Sequence, residues 1–214
     1  MRTLIVLGGD PPARELLSRA CAWAELVIAA DRGLDAFRDE ARLPDLILGD
    51  MDSVSGDVLS RFESIVPERR LPCMKDDTDG QDALKTAMER KGSDIVFLGA
   101  LGGRLDHALG NLGLLLYAVH RNVRARIMDD GVTVEAVPGT LRISGMPGDT
   151  VSVMPIGPAG GITLQGFQYP LVNGNLVSEN TLGISNVLTA PVGVIRVASG
   201  DVIVFHYHPG RDAF

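Results

Sequence analysis

The 214 residues carry 20 Lys and Arg against 27 Asp and Glu, a formal net charge of −7. That balance argues against a nucleic-acid partner or an anionic membrane surface, both of which select a basic stripe. Hydrophobic residues at 45% and charged residues at 22% exclude wholesale disorder and allow one large domain or two small ones.

Two cysteines, Cys21 and Cys73, are too few for a disulfide framework and read as free thiols in a reducing compartment. No stretch approaches the roughly 18 apolar residues of a membrane span. The opening MRTLIVLGGD is too short an apolar run for a signal peptide, so the expected location is the cytoplasm.

In chain order, the first 130 residues alternate apolar runs with helical patterns. TLIVLG (3–8), ELVIAA (25–30), DLILG (45–49) and DIVFLG (94–99) are nearly continuous in Val, Ile and Leu, with a weaker SIVPERRL at 64–71. Such runs mark strands buried on both faces, as in a parallel sheet. Between them, ARELLSRACAWA follows Pro11 and Pro12, which suit a first helical turn. The sole tryptophan, Trp23, falls in this helix and reads as core. DALKTAMERK stops at Gly92, a fitting helix C-terminus. LDHALGNLGLLLYAVH places Leu105, Leu109, Leu112 and Leu116 on one face. This alternation predicts an α/β domain over 1–130 with right-handed crossovers.

From about residue 131 helical spacing disappears. VTVEAV, TLRIS, TVSVMPI, GITLQG, NVLTA, GVIRVA and DVIVFHY are separated by Gly, Pro, Asn and Asp. They predict an all-β sandwich or barrel-like domain over 131–214, of about seven to nine strands.

In open α/β sheets, ligands bind beyond the carboxyl ends of the strands, and the polar clusters fall there. Gly8-Gly9-Asp10, Asp31-Arg32-Gly33, Asp50-Met51-Asp52-Ser53 and the glycine loop before Arg104 each follow an apolar run. On an extended backbone, Asp50 and Asp52 point to one face at like charge. A divalent cation relieves that repulsion, and Mg²⁺ takes one or two carboxylates together with water and substrate phosphates. The plain alternative is a solvated turn with Ser53 or Ser55 capping the next helix.

MKDDTDGQDALK (74–85) holds four aspartates. Thr78 and Gln81 fit a capping box, which puts Asp79 in the first helical turn. Helix-end electrostatics alone accounts for Asp79, but four aspartates exceed the needs of one cap. Lys75 either neutralises the cluster or reaches a phosphate. In GALGGRLDHALGN (99–111), the three glycines before Arg104 admit an anion to backbone amides, and Arg104 offers a planar fork to phosphate oxygens. Asp106 either orients Arg104 or caps the helix, and His107 suits a structural role as well as a binding one. An acidic residue placed like Asp31 holds ribose hydroxyls in dinucleotide folds.

Together these loops resemble the thiamine pyrophosphokinase family, whose members carry ADGG, GDxDS, KDxTD, GGRxDH and GISN segments in that order. This chain has Ala30-Asp31-Arg32-Gly33, Gly49-Asp50-Met51-Asp52-Ser53, Lys75-Asp76-Asp77-Thr78-Asp79, Gly102-Gly103-Arg104-Leu105-Asp106-His107 and Gly183-Ile184-Ser185-Asn186. The resemblance implies transfer of diphosphate from ATP to the hydroxyl of thiamine, with AMP released. It implies Mg²⁺ on Asp50, Asp52 and Asp79, with Arg104 and Asp106 also catalytic. Asp31, Ser53, Lys75, Thr78, Arg104 and His107 are then the nucleotide-side candidates, and Ser185 and Asn186 the thiamine-side ones. It also implies an ATP-binding domain at 1–130, a thiamine-binding and dimerisation domain at 131–214, and a homodimer with shared sites.

Two positions depart from the family pattern. Arg32 stands where glycine is usual, and Gln81 where bacterial members often carry glutamate. Any aromatic stacking on thiamine falls to Phe167, Tyr169 or Tyr207. The rival expectations are a pyrophosphokinase for another alcohol, such as a pterin, and a non-catalytic thiamine or nucleotide sensor.

Overall fold

The structure, a computed structural model, describes residues 1–70 and 76–211, so Lys75 and Cys73 lie outside the described residues. It divides into two compact units, one of Met1–Asp130 and one that begins at Gly131.

The first unit is a parallel sheet. Its strands are β1 (Arg2–Val6), β2 (Leu26–Ala30), β3 (Leu46–Gly49), β4 (Glu68–Arg70), β5 (Asp94–Leu98) and β6 (Arg124–Asp129), in the order β4-β3-β2-β1-β5-β6. All five pairings are parallel. The predicted apolar runs are its central strands. Leu4, Ile5, Val6, Val27, Ile28, Ile47, Leu48, Ile95, Val96 and Phe97 are fully buried, because helices cover a parallel sheet on both faces. Those helices are α1 (Arg14–Trp23), α2 (Gly56–Phe62), α3 (Asp79–Glu89) and α4 (Leu105–Val119).

Several elements differ from expectation. β6 was not visible as a run, because Ala125, Ile127 and Met128 are interleaved with arginines. A 3-10 helix over Asp31–Phe37 follows β2. On α4, Leu114, Leu115 and Ala118 are buried, whereas Leu105 is 75% and Leu109 61% exposed. The leucine spacing marks a face correctly but says nothing of what covers it. Cys21 is buried in α1 as a free thiol, and burial pushes its pKa up to about 12, which makes it unreactive.

The second unit has seven strands among the described residues. They are β7 (Val132–Ala136), β8 (Thr140–Ser144), β9 (Thr150–Gln165), β10 (Leu171–Leu176), β11 (Asn186–Val187), β12 (Val192–Arg196) and β13 (Ser199–Tyr207), all antiparallel. The runs TVSVMPI and GITLQG form one strand, β9. Its first half pairs with β11, its second half with β10 and β12, and β13 runs from Thr150 to Gly160. One strand thus serves two sheets, and Val151, Val153, Ile162, Leu164, Ile195 and Val204 pack between them.

This unit holds a buried polar network. Asp149 accepts from Met146 N at 2.9 Å, from His206 Nε2 at 2.9 Å and from Arg211 Nη2. Burial, followed by the neighbouring His208, pushes the His206 pKa down to about 4, with Glu135 acting weakly in the opposite sense. The charge of Asp149 also pulls upward, but Arg211 and the Met146 amide already engage it. A neutral imidazole donating through Nε2 satisfies the geometry.

The folded state therefore keeps His206 unprotonated in a range where the unfolded chain, titrating near 6.5, takes up a proton. The contribution of His206 to stability is complete above about pH 6.5 and falls as pH drops towards 4. Melting temperatures measured from pH 7.5 to 4.5 should show this loss. His206→Gln, which retains a donor for Asp149, should flatten it; an unchanged slope would assign the acid sensitivity to other groups.

Candidate active site

The carboxyl ends of β1, β2, β3 and β5 lie side by side, because the parallel registers pair Val6 with both Ala29 and Leu98, and Ala30 with Leu48. The strand order reverses between β1 and β5, and such switch points open a crevice for ligands. The loops leaving those two strands are tied together. Leu7 N donates to Leu98 O at 2.9 Å, Gly9 N to Gly99 O at 2.8 Å and Asp10 N to Leu101 O at 3.0 Å. A Cβ on Gly9 would sit 2.5 Å from both Gly99 O and Leu101 O, so only glycine permits this approach. Asn111 of α4 donates to Ala100 O at 2.8 Å and braces the second loop.

Next to this pair, the loops after β2 and β3 bring three carboxylates together. Asp31, Asp50 and Asp52 each place an oxygen within 4.8 Å of the others. The extended backbone expected for Asp50-Met51-Asp52 is absent. Met51 is left-handed (φ 65°), its side chain is buried, and Asp52 N donates to Asp50 Oδ1 at 3.2 Å. A tight turn, rather than strand alternation, puts both carboxylates on one side. Repulsion from Asp50 is the main cause of a raised Asp52 pKa, and Asp31 and Asp79 add to it.

Asp79 opens α3, and Thr78 Oγ1 accepts from Gln81 N at 3.2 Å, which makes the predicted N-cap. Asp79 stands outside the trio but close enough to act on Asp52. Ser55, not Ser53, takes the N-cap position of α2, and its hydroxyl goes to Asp35 Oδ2 at 2.9 Å. Ser53 Oγ donates to Asp31 Oδ2.

The sequence reading missed that Asp31 belongs with Asp50 and Asp52; adjacent parallel strands were the available signal. The trio fits a hard divalent cation. Its donors are all carboxylate oxygens, and Asp31 Oδ1 is buried without a hydrogen-bond partner in the protein.

Arg104 precedes α4 and forks onto Asp106, with Nε to Oδ1 at 3.1 Å and Nη2 to Oδ2 at 2.6 Å. That hydrogen-bonded pairing drops the Asp106 pKa to about 2 and raises that of Arg104. Two of the five guanidinium N–H groups are used, leaving three for an anion. His107 is exposed, and its backbone N–H goes to Asp106 Oδ1.

In the second unit, Leu164, Tyr169, Leu171, Leu176, Leu182 and Ile184 line a mainly apolar cavity of about 230 Å³ with Asn186 in its wall. Asn186 is 3% exposed. Its Oδ1 accepts from Tyr169 N and Val187 N, and its Nδ2 donates to Tyr169 O, so one amide hydrogen remains. Ser185 is exposed and left-handed (φ 57°), with its N–H on Ser152 Oγ at 3.0 Å.

A family model described as thiamin pyrophosphokinase, catalytic domain, matches residues 17–127, and one described as thiamin pyrophosphokinase, vitamin B1 binding domain, matches residues 140–203. Thiamine pyrophosphokinase of Bacillus subtilis (strain 168) is 31% identical over 211 residues, 95% of this chain and 98% of the relative.

This chain belongs to the thiamine pyrophosphokinase family.

Thiamine pyrophosphokinase 1 of Arabidopsis thaliana is 30% identical over 194 residues, 74% of this chain and 71% of the relative. The solved thiamine pyrophosphokinase of Bacillus subtilis superposes with a TM-score of 0.85 at 29% identity, over 97% of this chain and 99% of that one. The thiamin pyrophosphokinase of Candida albicans shares the fold, with a TM-score of 0.83 at 16% identity over 97% and 88% of the two chains. The chain is an enzyme of this family.

Two variants test the geometry of this thiamine pyrophosphokinase family member. Asp52→Asn removes one of three mutually repelling charges, so the metal-free protein should melt a few degrees higher than wild type. Added Mg²⁺ should raise the wild-type melting temperature and leave that of the variant nearly unchanged. Equal responses in the two proteins would contradict a carboxylate cation site. Asn186→Ala strips three buried hydrogen bonds from the cavity wall and should cost about 1–3 kcal/mol in denaturant unfolding.

Proposed function

We propose that the protein transfers a diphosphate group from ATP to the primary hydroxyl of thiamine in a Mg²⁺-dependent reaction. The hydroxyl oxygen bonds to the β-phosphorus, the bond from that phosphorus to the α–β bridging oxygen breaks with the oxygen leaving on AMP, and the hydroxyl proton passes to solvent. Thiamine diphosphate and AMP are the products.

The observation that carries this reading is the trio Asp31, Asp50 and Asp52 at the carboxyl ends of β2 and β3, with Asp79 acting on it. Asp50 and Asp52, with Asp31 and Asp79 beside them, would hold Mg²⁺, which when bound supplies charge neutralisation for the phosphate oxygens. Arg104 offers its three remaining N–H groups to phosphate oxygens, and Asp106 fixes the plane of the guanidinium. The Gly99–Gly103 loop, braced by the Gly8-Gly9 turn, lets backbone amides approach a polyanion. Such transfer relies mainly on positioning and charge stabilisation, which these residues supply.

The first unit is the nucleotide side of this reading. Thr78 acts through its cap, and His107 stands at the rim of the Arg104 loop. The second unit is the thiamine side, where the apolar cavity suits an aromatic ring, Tyr169 and Asn186 line it, and Ser185 lies between lining residues Ile184 and Asn186 in the chain. Exposed Tyr169, Val172, Leu182 and Ile184 support a homodimer through this unit. No helix of the described residues is long and apolar enough to cross a membrane, which fits a cytoplasmic location, as does the free thiol of Cys21.

Incubation with MgATP and thiamine should yield thiamine diphosphate and AMP in equal amounts. Asp79→Asn should lower turnover about 100-fold or more while the melting temperature stays within a few degrees. AMP without thiamine diphosphate would indicate another acceptor alcohol. Tight thiamine binding without turnover would indicate a sensor.

A further inference from the structure

We propose that Ser53 is a positioning residue for the cation site: its hydroxyl holds the Asp31 carboxylate where it joins those of Asp50 and Asp52. The inference rests on the cation site proposed above and adds a residue that acts through another.

Asp31 and the Asp50–Asp52 pair come from different segments, so something must fix one against the other. Asp31 is the first residue of the 3-10 helix, with a left-handed backbone (φ 47°) that a non-glycine residue adopts at a cost. It is seated against Gly49, whose own φ is 145°. A Cβ there would lie 3.0 Å from Asp31 Cβ, 3.1 Å from its Cα and 3.2 Å from its N. Packing thus sets the backbone of Asp31 but leaves its side-chain torsion open. The bond from Ser53 Oγ to Asp31 Oδ2 sets that torsion, while Oδ1 stays buried and without a partner.

A second tie runs parallel to the first. Asp35, four residues further along the same helix, accepts from Ser55 N at 3.1 Å and from Ser55 Oγ at 2.9 Å. The 3-10 helix and the loop after β3 are therefore stitched twice, by Ser53 at the carboxylates and by Ser55 away from them. A serine hydroxyl has one proton to donate, and Ser53 gives it to Asp31. That assigns Ser53 to the metal side of the site rather than to direct donation onto the nucleotide.

The test uses Mn²⁺ alone, added to the full metal-free chain without nucleotide, with free Mn²⁺ read by electron paramagnetic resonance. Ser53→Ala should weaken Mn²⁺ binding about tenfold, the usual effect of losing a residue that orients a ligand. Ser53→Thr, which keeps the hydroxyl, should restore affinity to within about twofold of wild type. Ser55→Ala should lower the melting temperature yet bind Mn²⁺ like wild type, separating the stitch at the site from general loop stability. Unchanged Mn²⁺ affinity in Ser53→Ala would overturn the proposal, as would a Ser53→Thr protein as weak as Ser53→Ala. Weaker metal-free ATP binding in Ser53→Ala with Mn²⁺ binding intact would make Ser53 a nucleotide ligand instead. The cation site itself is judged without Ser53: wild type and Asp52→Asn binding Mn²⁺ equally weakly would remove that reading.

Discussion

Three carboxylates forced together repel, and the architecture of the first unit is what keeps them in place. Asp31, Asp50 and Asp52 lie within 4.8 Å of one another, and water alone would let them separate. The restraint comes from below. β2 and β3 are parallel neighbours whose register matches Ala30 to Leu48, and Val27, Ile28, Ile47 and Leu48 are fully buried beneath the loops. Moving the carboxylates apart means shifting strands whose apolar surface is removed from water, a penalty that grows with every buried methylene. The left-handed backbones at Asp31 and Met51 are held against that repulsion by the same packing. Strained residues persist where surrounding packing over-determines them, and the buried Met51 side chain and the Gly49 seat do so here.

Charge is also distributed across the sheet. The order β3-β2-β1-β5 sets the carboxylate loops on one side of the Gly8-Gly9 turn and the Arg104 loop on the other. Acidic side chains suit a cation, while the guanidinium of Arg104 suits an anion. A polyphosphate needs both kinds of partner along its length, since neutralising it with arginines alone leaves no metal and neutralising it with metal alone leaves no orientation. The pairing of Arg104 with Asp106 fixes the orientation of the guanidinium plane before any ligand arrives, and it is exposed enough to yield N–H groups to a competing oxygen.

The strands of the first unit were legible because burial on both faces writes an unbroken apolar run, and the cap at Thr78 because capping is a local rule. β6 was not, since Arg124 and Arg126 interrupt its pattern; Arg126 offsets part of the cost of burial by pairing with Asp94, while its Nε stays buried without a partner. The fusion of two runs into β9 was hidden by Gly157, Pro158, Gly160 and Gly161, which read as a break but here carry a register shift within one strand. At the site, Asp50 and Asp52 were visible as a sequence pair, but the route by which they meet was not, because a left-handed Met51 leaves no signature in residue type. Asp31 was placed on the nucleotide side rather than in the trio, because residue type does not say which strands of the sheet are neighbours. Ser53 could be placed near the site but not given a partner for the same reason.

On the proposed reaction, an overall charge of −7 sets a problem that the local chemistry answers. The field of the whole chain repels ATP and attracts the thiazolium cation of thiamine. Raw attraction therefore cannot gather the nucleotide; a bound cation and Arg104 must do so at short range, where screening matters little. The second unit faces the opposite case. Its cavity is mainly apolar, with Asn186 spending three of its hydrogen bonds on the backbone of Tyr169 and Val187. A ring entering there gains contact with Leu164, Leu176 and Tyr169 and finds a single amide hydrogen for orientation. Selection of the acceptor then depends on shape, while reactivity depends on charge. Locating the two demands in separately folded units lets the cavity change without disturbing the carboxylates, and lets the carboxylates carry strain without loosening the cavity.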